Sequence, residues 1–164
     1  ALSTEHAFGV DKANLHGVDG HVDWLYQPQT RVPLLIIDHQ NKYPSEKFSR
    51  QIDIAPTIAQ ALHFALPSCW QGVSLLDSTT VQYSFHETGK VGLETKQQQY
   101  AIIDNEDSVI YKYLFSKDFK QEELYDLKSD STETNNLVNQ QTQRVKQLRL
   151  FVLQNFALHF DLGD

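Results

Sequence analysis

Residues 50–76 read RQIDIAPTIAQALHFALPSCWQGVSLL, and the fold class turns on this stretch. Its first part carries helix start signals. Asp53 can cap the N-terminus, and Pro56 falls in the first turn, where a backbone N–H has no intrahelical partner to lose. Ile54, Ile58, Ala61, Leu62 and Ala65 recur at helical spacing, which predicts one apolar face on a helix stopped by Pro67. Thr57 reads as a helix hydroxyl bonding the backbone. Upstream, RVPLLIID (31–38) is a short apolar run of the kind expected for a strand buried on both faces, and NKYPSEK (41–47) reads as a loop. Strand, loop and helix in that order predict an α/β layer.

Downstream the texture changes. VQYSFHE (81–87), YAII (100–103), SVIYKYLF (108–115) and EELYDL (122–127) are short runs rich in Tyr, Val, Ile and Phe, and DNED (104–107) reads as a hairpin turn. They predict a small antiparallel sheet, with Tyr111, Tyr113, Phe115 and Tyr125 in its core. A final helix is expected from about Gln140 to Phe160, with Val145, Leu148, Val152, Phe156 and His159 along one side. The chain thus divides into an α/β part over residues 1–80 and a small α+β subdomain over 81–164. In SDSTETNN (129–136), Asp130 and Asn135 are expected to bond nearby backbone.

Composition excludes some functions. The 14 Lys and Arg against 21 Asp and Glu leave a net charge of -7, with no basic stripe to displace counterions from a nucleic acid. A lone cysteine, Cys69, rules out an intrachain disulfide and is expected to be a buried structural residue. No apolar run approaches the roughly 20 residues of a membrane-spanning helix. The sequence has no methionine and enters what reads as the middle of a sheet, so a piece of a longer protein is expected.

Residues 1–31 read as a loop over a surface, with a short helix near Trp24. Within them STEHAFGVDKANLHG (3–17) sets Glu5 beside His6 and adds His16 ten positions later. A carboxylate and an imidazole together suit Zn²⁺, and a more carboxylate-rich site suits Ca²⁺ or Mn²⁺. The remaining histidines, His21, His39, His63, His86 and His159, read as surface or partly buried residues.

Three stretches in order resemble the C-terminal part of the sulfatase-like branch of the alkaline phosphatase superfamily, which includes arylsulfatases, lipoteichoic acid synthases and phosphoethanolamine transferases. The stretch 50–76 is similar to the family's Asp-x-x-Pro-Thr helix start followed by Gly-x-Ser-Leu-Leu, here Gly72 to Leu76. EELYDLKSDSTETNNLV (122–138) is similar to its Leu-Tyr-Asp-Leu strand and Asp-x-x-Glu-x-x-Asn-Leu turn. The opening stretch with TRVPLLI (30–36) resembles its Asp-His-Gly loop and Arg-Val-Pro strand.

The resemblance implies an α/β, alkaline phosphatase-like fold, of which this is the C-terminal portion, ending in a small antiparallel sheet plus a C-terminal helix. It implies Glu5 and His6 as metal ligands, although relatives carry Asp at the first position and Gly where Ala7 stands. It implies His16 as a substrate-binding residue, in a Leu-His-Gly form closer to the transferases; no lysine lies between Lys12 and Arg31, where arylsulfatases carry one. No catalytic nucleophile motif is found, and Cys69 lacks the Cys-x-Pro-x-Arg context of a modified sulfatase cysteine.

The implied function is a metal-dependent (Zn, Mn or Ca) hydrolase or phosphoryl-group transferase acting on sulfate or phosphate esters or lipid-linked phosphodiesters. The chain alone is expected to be inactive, with the upstream part of the same protein as partner. The implied location is the periplasmic or extracellular face of a membrane anchoring the whole protein. The alternative is a non-catalytic sulfatase-like lipid-binding or regulatory module of an envelope protein.

Overall fold

The computed structural model describes residues 2–3, 24–40, 42–43, 48–88, 98–106 and 108–156. Strand β1 (Leu2–Ser3) pairs antiparallel with β2 (Leu34–Leu35), and the short helix α1 (Gln27–Thr30) lies between them in sequence. A 3-10 turn at Gln51–Asp53 leads into α2 (Ile54–Ala61). Then β3 (Tyr83–Glu87), β4 (Gln99–Asn105), β5 (Ile110–Ser116) and β6 (Glu122–Asp126) form an antiparallel meander in the order β3-β4-β5-β6. Helix α3 (Thr142–Phe156) closes the described chain. Among the described residues no helix is long and apolar enough to cross a membrane.

Strand alternation gives the sheet two faces. Ile102, Tyr113 and Leu124 lie opposite one another across β4, β5 and β6, and with Tyr100 and Phe115 they bury against Val145, Leu148 and Val152 of α3. Phe156 extends this layer by stacking on Phe85, with ring centroids 4.4 Å apart. The expected sheet and the inward side of the last helix are present; β4 and β5 pair as a hairpin, but Asp104 and Asn105 of the expected turn belong to β4, and Asp107 and His159 lie outside the described residues. Arg144 of α3 reaches Asp104 and Glu106, each at 2.6 Å, and Arg149 pairs with Glu122. Polar residues of α3 are thereby tied to the sheet beside the apolar contact.

The α/β part differs from expectation in three respects. Helix α2 ends at Ala61, well before Pro67, because His63 adopts a left-handed conformation (φ 60°) and closes the C-terminus. Its buried residues are Pro56, Thr57 and Ala59, whereas Ile58, Ala61, Leu62 and Ala65 of the expected apolar face are exposed. Similarly, RVPLLIID yields a two-residue strand rather than one buried on both faces, with Leu35 and Ile37 exposed to 56% and 73%. The apolar patterns are real, but the described chain supplies nothing to cover them. Cys69 is also exposed, not buried, in an irregular surface stretch (62–73) with turns at 62–63 and 68–69.

Candidate functional site

Glu5, His6 and His16 lie outside the described residues, as does His21. Described structure resumes at Trp24, and the chain there is pinned to the sheet face opposite α3. Leu25 and Tyr26 pack on Ala101, Leu114 and Tyr125. The Leu25 N–H donates to Gln99 Oε1 at 2.8 Å, and the Tyr26 hydroxyl donates to Glu123 Oε2 at 2.9 Å. Tyr125 donates to the same carboxylate at 3.0 Å. Burial, with Glu123 beside them, raises the pKa of both phenols, so they remain neutral donors.

Lys112 lies next to this layer with its side chain fully buried, its Nζ 2.7 Å from Glu133 Oε1. Glu133 Oε2 accepts the backbone N–H of Gln27, and Lys112 Nζ donates to Thr30 Oγ1 at 3.2 Å. Burial lowers the Lys112 pKa while Glu133 opposes the shift. Nearby on β3, Ser84 Oγ and His86 Nε2 are 3.0 Å apart. Burial, then the Lys112 charge, pulls the His86 pKa down to about 4, so the ring is neutral at physiological pH.

A second joint sits at the start of α2. Asp53 is buried and was expected to cap the helix; instead it clasps what surrounds the helix. Its Oδ1 accepts Arg50 Nη2 and the Val73 N–H, each at 2.8 Å, and its Oδ2 accepts the Arg50 N–H at 2.8 Å. Arg50 Nη1 also donates to the Tyr83 carbonyl at 3.3 Å, tying this joint to β3. Thr57 bonds backbone as expected: its hydroxyl donates to the Asp53 carbonyl at 2.6 Å and accepts the Leu75 N–H at 2.9 Å. Gly72 passes so close that a Cβ there would lie 1.9 Å from the Ile52 carbonyl oxygen.

The turn after β6 explains its own motif. Asp130 accepts the Asn135 N–H at 2.8 Å and the hydroxyls of Thr132 and Thr134, each at 3.2 Å. Asn136 Oδ1 accepts the N–H groups of Leu124 and Val138 at 3.1 and 3.0 Å, so the side-chain acceptor at the motif's Asn is Asn136, one residue beyond the expected Asn135. Glu133 turns inward to Lys112. Glu133 is the Glu of the turn motif noted in the sequence, but its pairing was not read there; for Lys112 the signal was a lysine amid the apolar run VIYKYLF (109–115).

Comparison with known proteins decides the family. The family model described as N-sulphoglucosamine sulphohydrolase, C-terminal, matches residues 19–154. The chain belongs to this sulfatase C-terminal family. Among solved structures, a sulfatase-type protein of Bacteroides thetaiotaomicron VPI-5482 superposes with a TM-score of 0.63 at 22% identity, covering 80% of this chain and 31% of that one. A 2-O GAG sulfatase superposes with a TM-score of 0.50 at 21% identity, covering 65% of this chain and 24% of that one. These likenesses show the alkaline phosphatase-like fold, and the chain spans about a third or less of either protein. No curated protein matches the sequence. Among the described residues no group of three or more His, Cys, Asp or Glu side chains could hold a metal ion.

Proposed function

We propose that this chain is the C-terminal portion of a metal-dependent sulfatase-like hydrolase, and that Glu5, His6 and His16 are its contribution to the reacting centre. The observation that carries the hydrolase reading is the family match over 19–154, which runs through the joints at Asp53 and at Lys112–Glu133 and the whole small sheet; Glu5, His6 and His16 precede it and rest on the resemblance of the opening stretch. The family description names a sulfated sugar, which favours a sulfate ester or sulfamate over a lipid-linked phosphodiester. Hydrolysis there breaks the bond from sulfur to the sugar's oxygen or nitrogen, releasing sulfate. Glu5 and His6 are the donor pair for a divalent cation, and His16 contacts the sulfuryl oxygens. The nucleophile and the remaining ligands come from the upstream part of the same protein.

The exposed apolar surface supports that partner. Leu35, Ile37, Ile58, Leu62, Phe64 and Trp70 are all exposed between residues 35 and 70, uncovered apolar side chains of the kind an interface buries. Placement at the outer face of a membrane is part of the same reading and rests on the resemblance alone. Glu5 and Ala7, where relatives carry Asp and Gly, favour a second reading, a non-catalytic lipid-binding or regulatory module.

Metal analysis of the intact protein separates the two. In the hydrolase reading His6→Ala lowers metal content and rate together, because a lost ligand is not replaced by water at equal affinity. His16→Ala leaves metal bound and raises the barrier by about 2–4 kcal/mol, the scale of a lost oxyanion donor. Glu5→Asp retains metal. A wild type without metal, or stoichiometric metal in His6→Ala, leaves the regulatory reading.

A further inference from the structure

Two buried layers lie on opposite faces of the β3–β6 sheet, and they differ in kind. The layer under α3 has an apolar and aromatic centre, with the Arg144–Asp104 and Arg149–Glu122 pairs at its margin. The opposite layer encloses a complete ion pair, Lys112 and Glu133, with both side chains 0% exposed. Stability does not account for such a pair, because the desolvation of two buried ions offsets their attraction, and apolar replacements are often neutral or stabilising. What the pair supplies is direction. Glu133 accepts the N–H of Gln27, the first residue of α1, which has no partner inside its own helix. Lys112 donates to Thr30, the last residue of α1. The two ions thus grip both ends of one short helix from distant points of the chain.

The grip is held under strain. Glu133 has φ 57°, a left-handed backbone that an L side chain rarely adopts. The neighbouring bonds from Thr132, Thr134 and Asn135 to Asp130 impose that conformation and turn the carboxylate inward. Strain maintained by surrounding bonds is a feature of positions where geometry matters more than stability.

We infer that Lys112 and Glu133 are positioning residues: they set the register of residues 24–30 on the sheet, the stretch of chain that follows His16 in sequence. The inference rests on the hydrolase reading for its catalytic arm, but its structural arm does not.

The test compares two double variants of the intact protein. Lys112→Met with Glu133→Leu removes both charges and the acceptor for Gln27. Lys112→Met with Glu133→Gln removes both charges but keeps an acceptor there. Thermal midpoints, amide exchange at residues 27–31, kcat and KM are measured for each. Similar midpoints are expected for the two. In the Leu variant, exchange at the Gln27 amide rises and kcat falls, each by about tenfold or more, with KM little changed, because small misplacements far from the reacting atoms cost rate. In the Gln variant the Gln27 amide returns toward wild-type protection while kcat recovers only in part, because the Lys112 donor to Thr30 is missing from both variants, and β4 and β5 remain protected in both.

Exchange and kcat that follow the midpoint alone, with no difference between the two variants at equal stability, overturn the inference. If the wild type turns over no sulfated substrate, the exchange comparison still decides: faster exchange only in the Leu variant upholds the grip and removes the hydrolase reading, and equal exchange overturns the grip. Should the Leu variant not fold, the Gln variant carries the test, and loss of Gln27 protection there despite a retained acceptor overturns the inference.

Discussion

Replacing Leu148 with alanine tests the packing of α3 most sharply, because Leu150 on the same helix is a built-in control. Leu148 retains 2% of its surface and is enclosed by Tyr100, Ile102, Tyr113, Phe115, Leu124 and its helix neighbours. Leu150 is 57% exposed. Truncation at position 148 removes three buried carbons, worth about 2.4 kcal/mol at roughly 0.8 kcal/mol each. The residual cavity adds to this at about 24 cal/mol per Å³, because aromatic neighbours anchored in a sheet collapse only partly. The expected loss is about 3–5 kcal/mol for Leu148→Ala and below about 0.5 kcal/mol for Leu150→Ala. Urea denaturation of both variants beside the wild type measures it, with an unchanged slope required for the comparison. Equal losses at the two positions, or a loss below about 0.5 kcal/mol at Leu148, would refute the placement of α3 on the sheet.

Gly72→Ala forces a Cβ to within 1.9 Å of the Ile52 carbonyl oxygen, a backbone atom that no rotamer change can move. The expected loss is about 1–3 kcal/mol or more in denaturation, and a neutral result would mean the two segments do not touch. The histidine at position 86 confers acid sensitivity. Its folded pKa of about 4 lies below the unfolded value near 6.5, so the unfolded chain binds more protons between them. Stability from this group is complete above about pH 6.5 and is lost as pH falls toward 4, by up to about 3 kcal/mol at roughly 1.36 kcal/mol per unit. His86→Gln should flatten that part of the stability–pH curve, and a variant with the wild-type slope would show that the ring titrates normally.

The small sheet and its helix were legible because both of their periodicities survive in the sequence. Ile102, Tyr113 and Leu124 sit in short runs of aromatic and branched apolar residues that the sheet buries on both faces, and Val145, Leu148 and Val152 recur at helical spacing, so local pattern and final burial agree. Helix α2 was read on the wrong face for a physical reason. Its apolar stripe at Ile58 and Leu62 records which side needs a cover, whereas the side buried within this chain is held by polar bonds from Asp53 and Thr57. Periodicity does not encode who supplies the cover. The Lys112–Glu133 pair was invisible for a different reason. Its members are far apart in sequence and grip a third segment, so the Glu of the turn motif and a lysine inside an apolar strand leave no trace of being partners. Of the candidate site, the sequence named Glu5, His6 and His16, and these residues lie outside the described structure, so their role rests on the resemblance and on the variants proposed above.

Sulfate release is the most direct test of the central claim. The intact protein and the 164-residue chain are each incubated with an aryl sulfate, an N-sulfated glucosamine and an aryl phosphodiester, and liberated sulfate and phenol are quantified. The account predicts sulfate from the intact protein on a sulfated substrate, lost in His16→Ala, and none from the chain alone. Turnover by the chain alone, or an intact protein that binds metal yet releases sulfate from neither sulfated substrate, would contradict it.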